Sequence, residues 1–348
     1  MNNRIEQLAY AWPRLNASVV WRCRPEDFQV DEQLGFEADG QGEHILLQVQ
    51  KRNANTEWVA RQLARFADVP MRDVSYAGLK DRYAITTQWF SVRLAGKAGP
   101  DWNSLSDDEI QILQWDLHQR KLKRGSLKAN RFKIVLRELK GNQTELEDRL
   151  RLISHTGVPN YFTEQRFGHD GKNIDMARQM LLENKRIKDR HKRSLYLSAA
   201  RSMLFNHVLS ERVRAGSWNR ILPGEDVLLS GSRSHFIADS VDETIERRLV
   251  EWDINPSGPL IGKNNKSIET PVSQMEYQYL ANYRDWCDAL VKAGLKVERR
   301  SLRSRVMDLQ WHFPAGEQLV LEFMLDKGCY ANAVIRELLD ASIPMRQS

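Results

Sequence analysis

Residues 74–92, VSYAGLKDRYAITTQWFSV, contain two strand-like segments joined by a charged turn. Residues 74–76 have the composition of an extended segment, and from Phe90 onward apolar and polar residues alternate as in a half-buried strand. Gly78 favours a turn between these two segments. Asp81 stands in that turn between two cationic residues. Most charged triplets of this kind are solvated turns, so the rest of the chain must decide whether Asp81 is a catalytic nucleophile.

Length and composition indicate an ordinary globular protein. The chain has 348 residues, of which 41% are hydrophobic and 28% charged, which favours about two domains. No apolar run approaches the roughly 20 residues that cross a bilayer, and the first residues lack the apolar core of a signal peptide. We therefore expect a cytoplasmic protein without a membrane segment.

Cysteine and histidine spacing argues against metal and cofactor chemistry. Three cysteines without a CxxC pair fit neither a disulfide framework nor a zinc site. The histidines show no HExxH spacing, and the chain has no Rossmann glycine fingerprint and no P-loop. We expect no metal, no cofactor and reduced thiols.

Basic residues concentrate in two segments. Residues 120–133 carry seven Lys or Arg residues and no acid, and residues 185–193 carry six against Asp189 alone. Such density suits a polyanion, because each phosphate that is neutralised releases counterions. Two solvated faces are the alternative interpretation. Asn130, inside the first segment, is open to two interpretations: a turn residue or an amide that recognises a base edge.

The predicted elements indicate one domain interrupted by another. Alternation predicts strands over 28–32, 44–50, 110–117, 132–136, 306–312 and 318–325, with Arg22 on an N-terminal strand. Thr56 is predicted to cap a helix, and a last helix carries Val334 and Leu338. The middle of the chain is mainly helical over 143–155, 175–216 and 272–296, with a hairpin over 227–238 and a loop over 255–262. Because strands dominate only the outer parts, we expect a discontinuous domain with an insertion.

Several runs resemble the TruD family of tRNA pseudouridine synthases. Residues 78–88, GLKDRYAITTQ, resemble its GxKDxxAxTxQ signature, and residues 25–32, PEDFQVDE, resemble its N-terminal strand. Residues 128–132 look like its Asn-x-Phe motif, residues 157–168 like its domain-junction motif, and residues 193–212 like a helix of its insertion domain. The likeness spans most of the chain in the same order.

The resemblance implies an α+β fold. A pseudouridine synthase catalytic domain with a mixed, largely antiparallel sheet would be formed by residues 1–155 and 305–348. An inserted α/β TRUD domain would be formed by residues 156–304.

The resemblance also implies a set of site residues. Asp81 takes the place of the nucleophile, and the substrate-binding candidates are Phe28, Asn130, Tyr330, Arg22, Lys80 and Phe132. Tyr330 stands where a bacterial relative has Phe, so an aromatic face is retained. Arg22 is the candidate cationic partner of Asp81, since a nearby cation favours an ionised carboxylate. Lys80 and Arg82 are expected to meet backbone phosphates.

The implied reaction converts uridine, at the position conventionally numbered 13 in tRNA, into pseudouridine. Breaking N1–C1′ and joining C5 to C1′ leaves the atom count unchanged, so no cofactor is required. A carboxylate that attacks C1′ or removes a ribose proton would suffice, with the base flipped out of the RNA; both routes stay open. We expect a monomer that binds tRNA.

Two other functions compete with this hypothesis. One is an RNA-binding or tRNA-folding chaperone on the same fold, without chemistry. The other is an RNA nuclease, but the sequence offers no His pair or metal-binding carboxylate cluster for it.

Overall fold

The computed structural model describes residues 8–263 and 269–344, so the ends of the predicted domains at 1–7 and 345–348 lie outside the described residues. In the described part, the strands are β1 Ser18–Trp21, β2 Phe28–Leu34, β3 His44–Arg52, β4 Val74–Tyr76, β5 Ile85–Arg93, β6 Ile110–His118, β7 Leu127–Lys140, β8 Val158–Pro159, β9 Glu225–Leu229, β10 His235–Ala238, β11 Ile254–Asn255, β12 Ser257–Leu260, β13 Glu298–Ser301, β14 Arg303–Ser304, β15 Met307–His312, β16 Leu319–Asp326 and β17 Asp340–Ser342. The helices are α1 Thr56–Phe66, α2 Gln143–Thr156, α3 Glu164–Phe167, α4 Lys172–Leu181, α5 Arg190–Arg214, α6 Glu243–Val250, α7 Pro271–Tyr279, α8 Arg284–Lys292 and α9 Ala331–Leu338.

These elements form two compact units, each built from separate stretches of the chain. The sheet unit contains Leu15–Arg149, Val306–Gly328 and residues 339–344. The helical unit contains residues 8–14, 150–263, 269–305 and 329–338. The domain bounds given by the family resemblance stay a prediction.

The sheet unit is organised around one ten-stranded sheet. Its main order is β15-β16-β7-β2-β5-β3-β6, and β1, β17 and β4 join it beside this path. Only β1–β17 and β2–β5 pair in parallel, and the other neighbours are antiparallel. The expectation of an α+β fold with a mixed, largely antiparallel sheet is confirmed.

Helix α1 covers one face of this sheet because its apolar residues recur at helical spacing. Val59 and Leu63 are fully buried against Leu47 and Val49 of β3. Thr56, predicted to be the helix cap, is instead the first helical residue after Asn55. Its buried hydroxyl is therefore available to the loop that carries Asp81.

The helical unit packs around α5. Leu204, Phe205 and Val208 of this helix are fully buried, and the helix lies within the stretch 175–216 that was predicted to be mainly helical. The prediction of a loop over 255–262 is wrong in part, because residues 257–260 form β12 and pair with β13. A Cβ at Gly258 would lie 2.8 Å from a Leu302 methyl group, so this glycine permits close packing within a strand. Helix α6 was not predicted.

Candidate active site

Asp81 lies in the segment that joins β4 to β5, residues 77–84, which we call the Asp81 loop. Buried side chains hold its backbone on the N-terminal side of the carboxylate. Gln88 Nε2 donates to the carbonyl of Gly78 at 3.2 Å, and the amide of Lys80 donates to Thr56 Oγ1 at 3.1 Å. Thr56 Oγ1 in turn donates to Gln88 Oε1 at 2.8 Å. This network restricts the loop immediately before Asp81.

Lys51 holds the same loop at Asp81 itself. Its side chain is fully buried, and its ammonium donates at 2.7 Å to the carbonyl oxygens of both Asp81 and Ala54. Burial lowers the pKa of Lys51 to about 8; the Asp81 carboxylate opposes this change and the Lys80 charge adds to it. The backbone carbonyl of the nucleophile candidate therefore accepts a hydrogen bond from a buried cation.

Arg22 reaches the Asp81 carboxylate from the end of β1. Its Nη2 lies 3.4 Å from Asp81 Oδ2, and its side chain is 11% exposed against 29% for that of Asp81. The expectation that Arg22 belongs to the strand is wrong, because β1 ends at Trp21 and Arg22 has a φ of 57°. This left-handed conformation costs an L-residue about 1–2 kcal/mol, so other contacts must hold it.

Phe28 provides one such contact. The guanidinium carbon of Arg22 lies 3.9 Å from the centre of the Phe28 ring, a distance typical of a cation–π interaction. Phe28 is 2% exposed and packs edge-on against Trp21. Phe132 lies behind it, is 7% exposed and stacks on Phe323 with ring centres 5.4 Å apart. In this structure both phenylalanines are parts of an aromatic core that supports Arg22.

The side chain of Lys80, the residue immediately before Asp81, contacts the side chain of Asn130. Lys80 Nζ donates to Asn130 Oδ1 at 2.6 Å and lies 2.9 Å from Glu32 Oε2. The side chain of Lys80 is 8% exposed and that of Glu32 is fully buried, and burial raises the pKa of Glu32. The ammonium of Lys80 is thus directed at interior partners, whereas a phosphate contact would require it to face solvent.

Three residues that support the site were not predicted as site residues from the sequence: Lys51, Glu32 and Thr56. The two charged residues carry a readable signal, because each continues the inward-facing alternation of its strand. Lys51 follows buried Leu47 and Val49, and Glu32 follows buried Phe28 and Val30. A charge at such a position predicts a buried polar contact.

Tyr330 belongs to the helical unit. It is half-buried, immediately precedes α9, and its ring lies edge-on to Phe162 with centres 6.2 Å apart. The guanidinium carbon of Arg300 lies 4.0 Å from the centre of the same Phe162 ring.

Both basic segments lie on the surface of their units. In residues 120–133 all the cationic side chains are exposed. In residues 185–193 they are also exposed, while Asp189 caps α5 by accepting from the amides of His191 and Lys192. The single acid of that segment is therefore engaged with backbone.

Comparison with known protein families shows the family of the chain. The sequence profile of the family described as tRNA pseudouridine synthase D (TruD) matches residues 4–189 and 184–338. The chain belongs to the TruD family. It is 48% identical over 334 residues to the tRNA pseudouridine synthase D of Nitrosococcus oceani, covering 95% of this chain and 93% of that protein. It is 49% identical over 332 residues to the one of Methylococcus capsulatus, covering 94% of each.

A solved structure supports the fold. The crystal structure of a TruD protein from Methanosarcina mazei superposes with a TM-score of 0.69, covers 95% of each chain and is 21% identical in sequence.

Residues 8–263 and 269–344 contain no helix with both the length and the hydropathy of a bilayer span. They also contain no group of three or more His, Cys, Asp or Glu side chains placed to hold a metal ion.

Proposed function

We propose that this TruD-family protein isomerises uridine to pseudouridine in tRNA, at uridine 13, with Asp81 as the nucleophile. One observation carries the proposal: the Asp81 side chain is 29% exposed, and its Oδ2 lies 3.4 Å from Arg22 Nη2. Lys51 holds the backbone of the same residue by donating to its carbonyl oxygen. A nucleophile must stay within a narrow range of positions while the substrate reacts. The family membership supports the reaction type, and the relatives named above carry it in their names.

The reaction requires one carboxylate in either of two routes. In the first, Asp81 attacks C1′ as N1–C1′ breaks, and the uracil turns before C5 displaces the carboxylate. In the second, Asp81 removes the C2′ proton as N1–C1′ breaks, which gives a glycal and the detached uracil; C5 then bonds to C1′ while the proton returns to C2′. Both routes end with loss of the C5 proton and protonation of N1, so the isomerisation leaves the atom count unchanged without a co-reactant. The ion pair with Arg22 would position the carboxylate in each route.

Asn130 is suited to hold the uracil edge. Lys80 donates to its Oδ1, which fixes the amide so that Nδ2 is the part left to donate to a uracil carbonyl. Lys80 and Glu32 would then act by orienting Asn130. The contact of Lys80 with a phosphate, proposed from the sequence, would require this pair to open.

The aromatic candidates have different requirements. For Phe28 to stack on the uracil, the Arg22 guanidinium on its ring would have to move or share that face. Phe132 lies behind Phe28 and would support it. Tyr330 remains a proposed substrate-binding residue, because it is half-buried and offers an aromatic ring for stacking on a base.

The exposed basic segments would bind the phosphates of the tRNA without specifying its sequence. We assign the catalytic domain to residues 1–155 and 305–348 and the TRUD insertion domain to residues 156–304, supported by the single sheet that strands from both outer parts build. We further propose a monomer, which light scattering would test, and a cytoplasmic location, which three cysteines outside any disulfide would suit.

The decisive assay is tritium release from 5-tritiated uridine in a tRNA transcript, because forming the C5–C1′ bond expels that hydrogen. The wild type should release tritium, and Asp81→Ala should release none while binding tRNA with unchanged affinity. Asp108→Ala, which changes an exposed aspartate of the same unit, is the matched control and should behave as wild type. Absence of release by the wild type would favour the RNA-chaperone alternative, and release by Asp81→Ala would remove Asp81 from the nucleophile role.

A further inference from the structure

Leu79 is an exposed apolar side chain two positions before Asp81. It is 64% exposed, the highest value among the large hydrophobic residues described in the sheet unit. Single exposed leucines are common on protein surfaces and carry no meaning by themselves. The position of Leu79 on the Asp81 loop is what calls for an explanation.

The backbone on both sides of Leu79 is immobilised. The carbonyl of Gly78 accepts from Gln88, and the amide of Lys80 donates to Thr56; Gln88 is fully buried and Thr56 is 2% exposed. Leu79 therefore projects into solvent from a rigid base. A flexible loop could fold such a side chain against the surface, whereas this loop presents it.

RNA offers a specific place for a rigid apolar side chain beside the nucleophile. A uridine that reaches a protein carboxylate must leave its stack, and the departure opens a gap between its neighbouring bases. Proteins that unstack nucleic acids insert apolar wedges, leucine among them, between base steps. The wedge must be close to the residue that receives the flipped nucleotide.

We propose that Leu79 is a wedge that occupies the gap left in the RNA by the flipped uridine. The inference rests on the proposed function, since it requires the target uridine to approach Asp81. Its ligand is the pair of bases flanking the target, and its role is to hold the flipped state, so Leu79 is a specificity-determining residue for uridines within stacked RNA.

Fluorescence tests the wedge without requiring turnover. A tRNA transcript would carry 2-aminopurine in place of the base on the 3′ side of the target uridine. Saturating wild-type protein should raise its emission at least two-fold, because unstacking relieves quenching, and Leu79→Ser should lose most of this rise at saturation. Leu79→Met retains apolar bulk and should preserve it. Leu113→Ser, at a 43% exposed leucine of the same unit, is the matched control and should preserve it too.

The second readout is tritium release from a tRNA transcript that carries 5-tritiated uridine and no 2-aminopurine. Leu79→Ser should lower kcat/KM about 10- to 100-fold, the range expected for losing the burial of one leucine side chain, and Leu79→Met should stay within about three-fold. Equal fluorescence for wild type and Leu79→Ser, or no rise for the wild type, would overturn the wedge. A wild type that raises the fluorescence but releases no tritium would overturn the proposed function and leave the wedge standing.

Discussion

Replacing Lys51 with methionine should change how the stability of this protein depends on pH. Lys51 is fully buried, and its ammonium donates to two carbonyl oxygens, those of Ala54 and Asp81. Burial lowers the pKa of its side chain from 10.5 to about 8. At about 1.4 kcal/mol per pKa unit, this difference corresponds to roughly 3 kcal/mol.

The direction in which stability changes with pH follows from the number of protons that the folded and unfolded chains bind. The folded pKa lies below the unfolded one, so between about pH 8 and pH 10.5 the unfolded chain binds more protons at this residue. The free energy of unfolding contributed by Lys51 therefore rises with pH across that window. Methionine has no such titration. The wild type should gain stability relative to Lys51→Met as pH increases, by up to roughly 3 kcal/mol.

Urea unfolding of both proteins at pH 7, 8, 9 and 10 measures the difference directly. Other groups titrate in this range, but they are common to both proteins and cancel in the comparison. Lys123→Met, at an exposed lysine of the same unit, is the matched control and should give a flat difference. A flat difference for Lys51→Met as well would refute the argument that the ammonium is desolvated.

Three further predictions concern charged contacts of the sheet unit. Arg137→Met should lower the free energy of unfolding by about 3 kcal/mol, because Arg137 donates from two nitrogens to Asp27, which is 1% exposed; urea denaturation at pH 7 checks this, and a loss below 1 kcal/mol would contradict it. Lys80→Met should cost about 3–5 kcal/mol by leaving Glu32 buried alone, and adding Glu32→Leu should recover most of it, so that additive losses in the double variant would disprove the coupling. Lys128→Glu should weaken tRNA binding, and the slope of log K against log[salt] should become less steep by the equivalent of about one to two phosphate contacts. Filter binding between about 50 and 200 mM salt measures this slope. An unchanged slope would exclude this exposed residue from the interface.

Local signals in the sequence correctly predicted a turn at Asp81 between two strands, but β5 begins at Ile85 rather than near Phe90 and is mostly buried rather than half-buried. The apolar pattern of residues 74–76 and 90–92 corresponds to the antiparallel register Val74↔Val92 and Tyr76↔Phe90. These residues are close in the chain, so periodicity and one glycine were enough to place Asp81 between two strands.

The partners of the loop required the folded chain. Alternation along β2 and β3 places Glu32 and Lys51 on buried faces, but it does not say which group each one meets. Glu32 pairs with Lys80, and Lys51 bonds to the Asp81 carbonyl across 30 residues. The left-handed backbone of Arg22 is equally unreadable, because a non-glycine residue gives no sign of a positive φ. Pairing between distant strands decides these contacts.

The discontinuous sheet has a consequence for synthesis on the ribosome. Strand β7 pairs with β2 on one side and with β16 on the other, and β16 begins only at Leu319. At 5–20 residues per second, the edge of β7 that β16 will cover stays open for roughly 10–40 s after β7 is made. An uncovered strand with buried-face residues such as Phe132 and Ile134 is a template for wrong pairing. The helical unit can complete much of its own core during that interval, and the last strands then close the edge.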